Sequence, residues 1–137
     1  GAIGYVELIF ALANKLPVSS VKNSKGNFVT PSLQSVAAAA SGIEYPASLA
    51  VSITNPPGEQ AYPIAGFTYL LVRQNTYTDA NKAQALTDFI YWSLTDGQGA
   101  ASRLGYAPLP DQARRLAIGQ LRKITVGGQP AFTGEVK

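Results

Sequence analysis

The stretch Ala61-Tyr-Pro-Ile-Ala-Gly-Phe-Thr-Tyr-Leu-Leu-Val72 is a nearly unbroken apolar run, rich in β-favouring residues. A strand wetted on one face alternates apolar and polar residues, and this run does not. It therefore reads as a strand buried on both faces, of the kind found at the centre of an α/β sheet. A chain holding such a segment has to cover it on two sides. Nothing in the segment can do chemistry, so its meaning is architectural.

The flanking sequence supplies the covering layers. Asn55-Pro-Pro-Gly58 is the sharpest break in the chain, because two prolines and a glycine exclude both helix and central strand. After the polar loop Arg73-Gln-Asn-Thr-Tyr-Thr78, the spacing predicts a long helix over 79–96 with Ala83, Leu86, Phe89, Ile90 and Leu94 on its apolar face. Gly97 and Gly99 close it, and 100–104 predicts a short further helix. Leu109-Pro110-Asp111 opens the last helix, with Ala113, Leu116, Ala117, Leu121 and Ile124 inward. The tail from Gly127 is Gly-rich and reads as loose. Upstream, Ile3–Glu7 reads as a short strand and 8–14 as a helix. Ser19–Lys22 and Asn27–Thr30 read as a hairpin around Asn23-Ser-Lys-Gly26. Thr30-Pro31 then starts a helix, Thr30 as cap and Pro31 at its first position, ending at Gly42. Strands alternating with helices imply an α/β architecture.

Composition excludes several kinds of chemistry. The 137 residues contain no Cys and no His, which removes a thiol nucleophile, the commonest general base and the commonest zinc ligand. A catalytic triad or a Cys/His zinc site cannot be built from this chain. Charged residues make up 14% and hydrophobic residues 46%, as in a packed globular protein. No apolar stretch reaches the ~20 residues of a membrane span. The chain opens at Gly1 without Met, a basic n-region or an h-region, and so reads as processed, engineered or a fragment.

Glycine clusters at Gly97-Gln-Gly99 and Gly127-Gly128 lack both the GK[ST] of a P-loop and the GxGxxG spacing, and they read as helix end and tail. The carboxylates Glu7, Glu44, Glu59, Asp79, Asp88, Asp96, Asp111 and Glu135 show no acid/base spacing; Asp79 and Asp111 sit where helix caps are expected. Of the adjacent Tyr91 and Trp92, one is expected in the core and one partly exposed. The basic cluster Arg114, Arg115, Arg122 and Lys123 reads as a solvated helix face rather than a nucleic-acid surface, within a net charge of +3.

Four segments in order carry a resemblance. Gly1-Ala-Ile-Gly-Tyr-Val-Glu7, Gly58-Glu-Gln-Ala-Tyr-Pro-Ile64, Phe89-Ile-Tyr-Trp-Ser-Leu-Thr-Asp-Gly97 and Leu104-Gly-Tyr-Ala-Pro-Leu-Pro110 together resemble the C-terminal part of the phosphate-binding proteins of bacterial phosphate ABC transporters, the PstS family. The resemblance covers essentially the whole chain. It implies an α/β, type II periplasmic-binding-protein-like fold, of which this chain is the C-terminal part: two lobes joined by a hinge that close over phosphate. Residues 1–57 would end the second lobe and 58–137 would form the C-terminal part of the first.

The implied function is the extracytoplasmic phosphate-binding component of an ABC importer, with no enzymatic step and no cofactor. The implied partners are inorganic phosphate through the complete protein, the permease subunits and the missing N-terminal part. Nucleic acid is not among them. The implied location is periplasmic or extracellular, with membrane anchoring through a lost N-terminus as an option. The family's Ser-Gly-Thr-Ser-type loop, arginine and aspartate for phosphate lie N-terminal to this chain; here Ser41-Gly42 continues into Ile-Glu. No catalytic, ligand-binding or metal residue is therefore carried over. The rival reading is a PstS-derived structural or interaction module in an extracellular assembly. An enzyme of phosphate-ester chemistry is disfavoured by the missing His and Cys.

Overall fold

The computed structural model describes residues 1–134, and Glu135 lies outside them. The chain forms two compact units, each assembled from separate stretches of sequence. The first takes Gly1–Glu44, Val51–Phe67 and Gly99–Pro108; the second takes Tyr45–Ala50, Thr68–Gln98 and the described residues from Leu109.

In the first unit, helix α1 spans Leu8–Ala13, and strands β1 (Val21–Lys22) and β2 (Phe28–Val29) form the expected antiparallel hairpin, pairing Val21 with Val29 and Lys22 with Phe28. Helix α2 covers Leu33–Ser41 and ends at Gly42. Its cap is Ser32 rather than Thr30. Ser32 Oγ accepts from Ser35 N at 3.0 Å, and Ser35 Oγ accepts from Ser32 N at 2.9 Å, a reciprocal capping box. Pro31 thus precedes the cap instead of opening the helix.

The organising group of this unit is the buried side chain of Asn23. Its Nδ2 donates to the carbonyls of Glu59 (2.8 Å), Gly58 (3.2 Å) and Ala61 (3.3 Å), while its Oδ1 accepts from the N–H groups of Lys25 and Asn27, both at 3.0 Å. Ser24 Oγ adds a bond to Pro56 O at 2.8 Å. The prolines at 56 and 57 offer no N–H donors, so side chains of the hairpin turn hold the break through its carbonyls. On its far side Asn55 N donates to Pro63 O at 2.8 Å and Tyr62 N to Ser35 O at 3.0 Å. Asn55-Pro-Pro-Gly58 is therefore a fixed bend inside the first unit.

The second unit is built on α3 (Ala80–Leu94) and α5 (Asp111–Leu121), closed by the hairpin β3 (Thr125–Val126) and β4 (Gln129–Pro130). Their core is Ala83, Ile90, Leu94, Ile118, Leu121, Ile124, Ala131 and Phe132. The tail from Gly127 is not loose as far as it is described. Gly127 and Gly128 adopt left-handed backbone (φ +57° and +84°), the turn that a two-residue hairpin needs. This delivers Ala131 and Phe132 to the core, where Phe132 packs on Tyr91 with ring centroids 5.0 Å apart. Helix α4 (Gln98–Arg103) matches the short helix expected there.

Two expected strands are absent. Residues 3–7 form none, and Ile3 and Tyr5 are fully exposed. Nor is 61–72 a strand: its first part to Phe67 belongs to the first unit and its remainder from Thr68 to the second. The described sheets are two separate two-stranded hairpins, and neither offers these segments a ladder to join. On α3, Phe89 points outward and Leu86 is half-buried, while Thr87 is fully buried, its Oγ1 donating to Gln84 O at 2.9 Å. Ile118, which the spacing did not single out, is buried on α5.

Replacing Asn23 by Ala removes the donors and the acceptor together: Ala61 O loses its side-chain partner, while Glu59 O and Gly58 O are left with Asn27 Nδ2 and Ala61 N alone. The expected loss is about 2–4 kcal/mol of stability, read from the urea midpoint. An unchanged midpoint would show that the bend holds without it.

Candidate functional site

An anion site needs several N–H and O–H donors that converge and are not already in use. The helix starts noted in the sequence fail this. At α2 the hydroxyls satisfy one another: Ser35 Oγ donates to Thr30 O at 2.9 Å, and Thr30 Oγ1 and Ser20 Oγ share a hydrogen bond at 2.7 Å. At α3 the cap is Asp79, whose Oδ1 accepts from Lys82 N at 3.1 Å and whose charge opposes an incoming anion. Asp111 does not cap α5. Pro110 holds that position, and Asp111 in the first turn pairs with Arg114 at 2.8 Å. Arg115, Arg122 and Lys123 are exposed, as expected of a solvated helix face.

The remaining carboxylates do not converge. Glu7 accepts from Tyr106 Oη at 3.4 Å, and Glu59, Asp88 and Asp96 are exposed. Among the described residues no group of three or more His, Cys, Asp or Glu could hold a metal ion. No helix of the described residues is long and apolar enough to cross a membrane.

What the second unit offers instead is apolar surface. Leu70, Leu71 and Val72 face Tyr77, Leu86, Phe89 and Ile90 across an open cleft of about 220 Å³. Leu71 is 97% exposed and Leu70 65%; Phe89, 59% exposed, stacks on Trp92 at a centroid distance of 6.0 Å. Tyr91 is the partly buried member of the 91–92 pair and Trp92 the exposed one. Exposed apolar side chains this closely grouped mark a surface that another element normally covers. The alternation test could not find this surface, because an uninterrupted apolar run looks the same whether its neighbours are present or not.

One ionisable group is perturbed here. Burial, and secondarily the neighbouring Tyr69, raises the pKa of the Tyr45 phenol above its usual 10.0. The folded form thus holds the Tyr45 proton more tightly than the unfolded chain. That contribution to stability is complete below pH 10 and is lost as pH rises through the folded value. Absorbance titration of phenolate formation should show Tyr45→Phe removing a phenol that titrates above the usual tyrosine value. Loss of an early-titrating one would contradict the assignment.

No family model matches the chain. It is, however, similar to several curated proteins named phosphate-binding protein PstS. With that of Xylella fastidiosa (strain 9a5c) it is 43% identical over 112 residues, covering 80% of this chain and 30% of the relative. With that of Haemophilus influenzae it is 38% identical over 112 residues, 80% of this chain and 33% of the relative. With that of Methanocaldococcus jannaschii it is 34% identical over 140 residues, 89% of this chain and 34% of the relative. The chain spans about a third of the length of the curated relatives it matches.

Proposed function

Because the chain is a relative of the PstS phosphate-binding proteins over about a third of their length, we propose that it serves as scaffold in phosphate capture. It is the C-terminal part of an extracytoplasmic binding protein of an ABC-type phosphate importer. In this reading the whole protein has a two-lobed, type II periplasmic-binding-protein architecture. Residues 1–57 finish the second lobe and 58–137 complete the first. Phosphate is captured between the lobes, a hinge closes, and the permease receives the ion; no bond is made or broken. Its place of work is the periplasm or cell exterior.

The observation that carries this reading is the similarity to proteins named for phosphate over 80–89% of this chain. The relatives are named for phosphate, and the starts of α2 and α3 are capped by their own side chains, Ser32 and Asp79. The exposed Leu70–Leu71 surface fits the same picture, as an edge meant for strands supplied by the rest of such a protein.

Isothermal titration of this chain with inorganic phosphate should give no binding in the sub-micromolar range. Sub-micromolar affinity would show that the chain carries a complete site and would overturn the scaffold role.

A further inference from the structure

The amide that holds the bend of the first unit is also a reactive group. A main-chain nitrogen can attack the side-chain carbonyl carbon of an asparagine just before it, and a small residue in the second place leaves room for the attack. Asn23 is followed by Ser24. Asn14, Asn27, Asn75 and Asn81 are followed by the bulkier Lys15, Phe28, Thr76 and Lys82, and Asn55 by Pro56, whose nitrogen has no proton to lose. The sequence thus singles out Asn23, and the fold opposes the reaction there. Asn23 is 6% exposed; its Nδ2 faces the carbonyl oxygens of Glu59, Gly58 and Ala61, and its Oδ1 accepts from Lys25 N and Asn27 N. All of these residues belong to the first unit. Ring closure has to turn the amide out of these bonds and expel the nitrogen that makes the longest-reaching of them.

The product does not fit the place it left. An aspartate at 23 keeps an acceptor for Lys25 N and Asn27 N. Its other oxygen carries no proton and would meet the carbonyl oxygens that now lie 2.8, 3.2 and 3.3 Å from Nδ2. An isoaspartate also lengthens the main chain by a methylene, inside a turn closed by Asn23 N donating to Asn27 O at 2.9 Å.

We propose that Asn23 is a deamidation site which the folded first unit protects, and at which unfolding of that unit becomes irreversible. In the unfolded chain the Ser24 nitrogen bonds to Asn23 Cγ and gives up its proton, the Cγ–Nδ2 bond breaks, and Nδ2 leaves as ammonia. Water then opens the cyclic succinimide at either C–N bond, giving aspartate or isoaspartate. Such chemistry in the unfolded state turns a reversible equilibrium into a one-way loss.

The full chain is incubated in urea and, in parallel, in folding buffer. Mass spectrometry of the peptide holding Asn23 reads deamidation, and circular dichroism after dilution reads the refolded fraction. The mass gain should appear in urea and accumulate more slowly by about tenfold or more in folding buffer, because attack waits on opening of the bend. The refolded fraction should fall in step with it. Asp96-Gly97 can cyclise too, without change of mass, and Ser24→Thr separates the two. Its β-branch hinders attack at Asn23 while its hydroxyl remains for Pro56 O, and Ser24 lies outside the left-handed backbone region. This variant should keep its refolding yield through the urea incubation. Asn23→Asp should lower the urea midpoint. Equal deamidation rates in the two conditions would overturn the proposal. So would a loss of yield that Ser24→Thr does not relieve, or an Asn23→Asp chain as stable as the parent.

Discussion

An extended apolar segment has two demands that must be met together: cover for its side chains on both faces, and partners for its main-chain N–H and C=O groups. Residues 61–72 make both demands, and the rest of the structure follows from how they are answered. Ala61 and Pro63 are buried in the first unit, beside the bend that Asn23 holds. Leu70 and Leu71 stay exposed in the second, whose core is made by α3, α5 and the β3–β4 hairpin instead. The only parallel pairing among the described residues near this segment is the single bridge from Tyr77 to Val126, supported by Thr125 N donating to Gln74 O at 2.7 Å. A helix can satisfy its own backbone, but a strand cannot. The helices of this chain therefore formed where the sequence put them, and its long apolar run did not become a strand.

That contrast accounts for what could be read in advance. The helix periodicity of 79–96 and 109–124 is local information, and α3 and α5 match it to within a few residues. The Asn23–Gly26 turn is equally local, and the hairpin appears in the expected place. The errors lie where the outcome depends on a distant partner. Ile3–Glu7 and 61–72 read as strands from their local residue pattern, and a local pattern cannot supply a neighbour. Thr30 lost the cap to Ser32 because Ser35, three residues on, completes a reciprocal pair with Ser32 and not with Thr30. The glycines make the tail read as loose, whereas Gly127-Gly128 is the turn that returns Phe132 to the core. Asn23 offered no signal beyond its place in a turn, since its bonds reach across more than thirty residues of sequence.

The functional reading has the same form. The segments that carry the resemblance fall on the stretch after the proline bend, on α3 and its end, and on Leu104–Pro110. The hydroxyls and helix ends that might have held an anion are spent on one another or fronted by a carboxylate. In the proposed reading, strands and donors from the rest of the protein complete the surface on which Leu70 and Leu71 are exposed.

Amide exchange at Leu70 and Leu71 tests that claim most directly. It should be measured in this chain alone and again with the chain grafted in place of the matching third of the Xylella fastidiosa protein. The account predicts exchange near the unstructured rate in the first case. In the second, strand neighbours should slow it by about two orders of magnitude or more. Equal rates in a graft that folds would mean that this edge receives no strand, and would contradict the account.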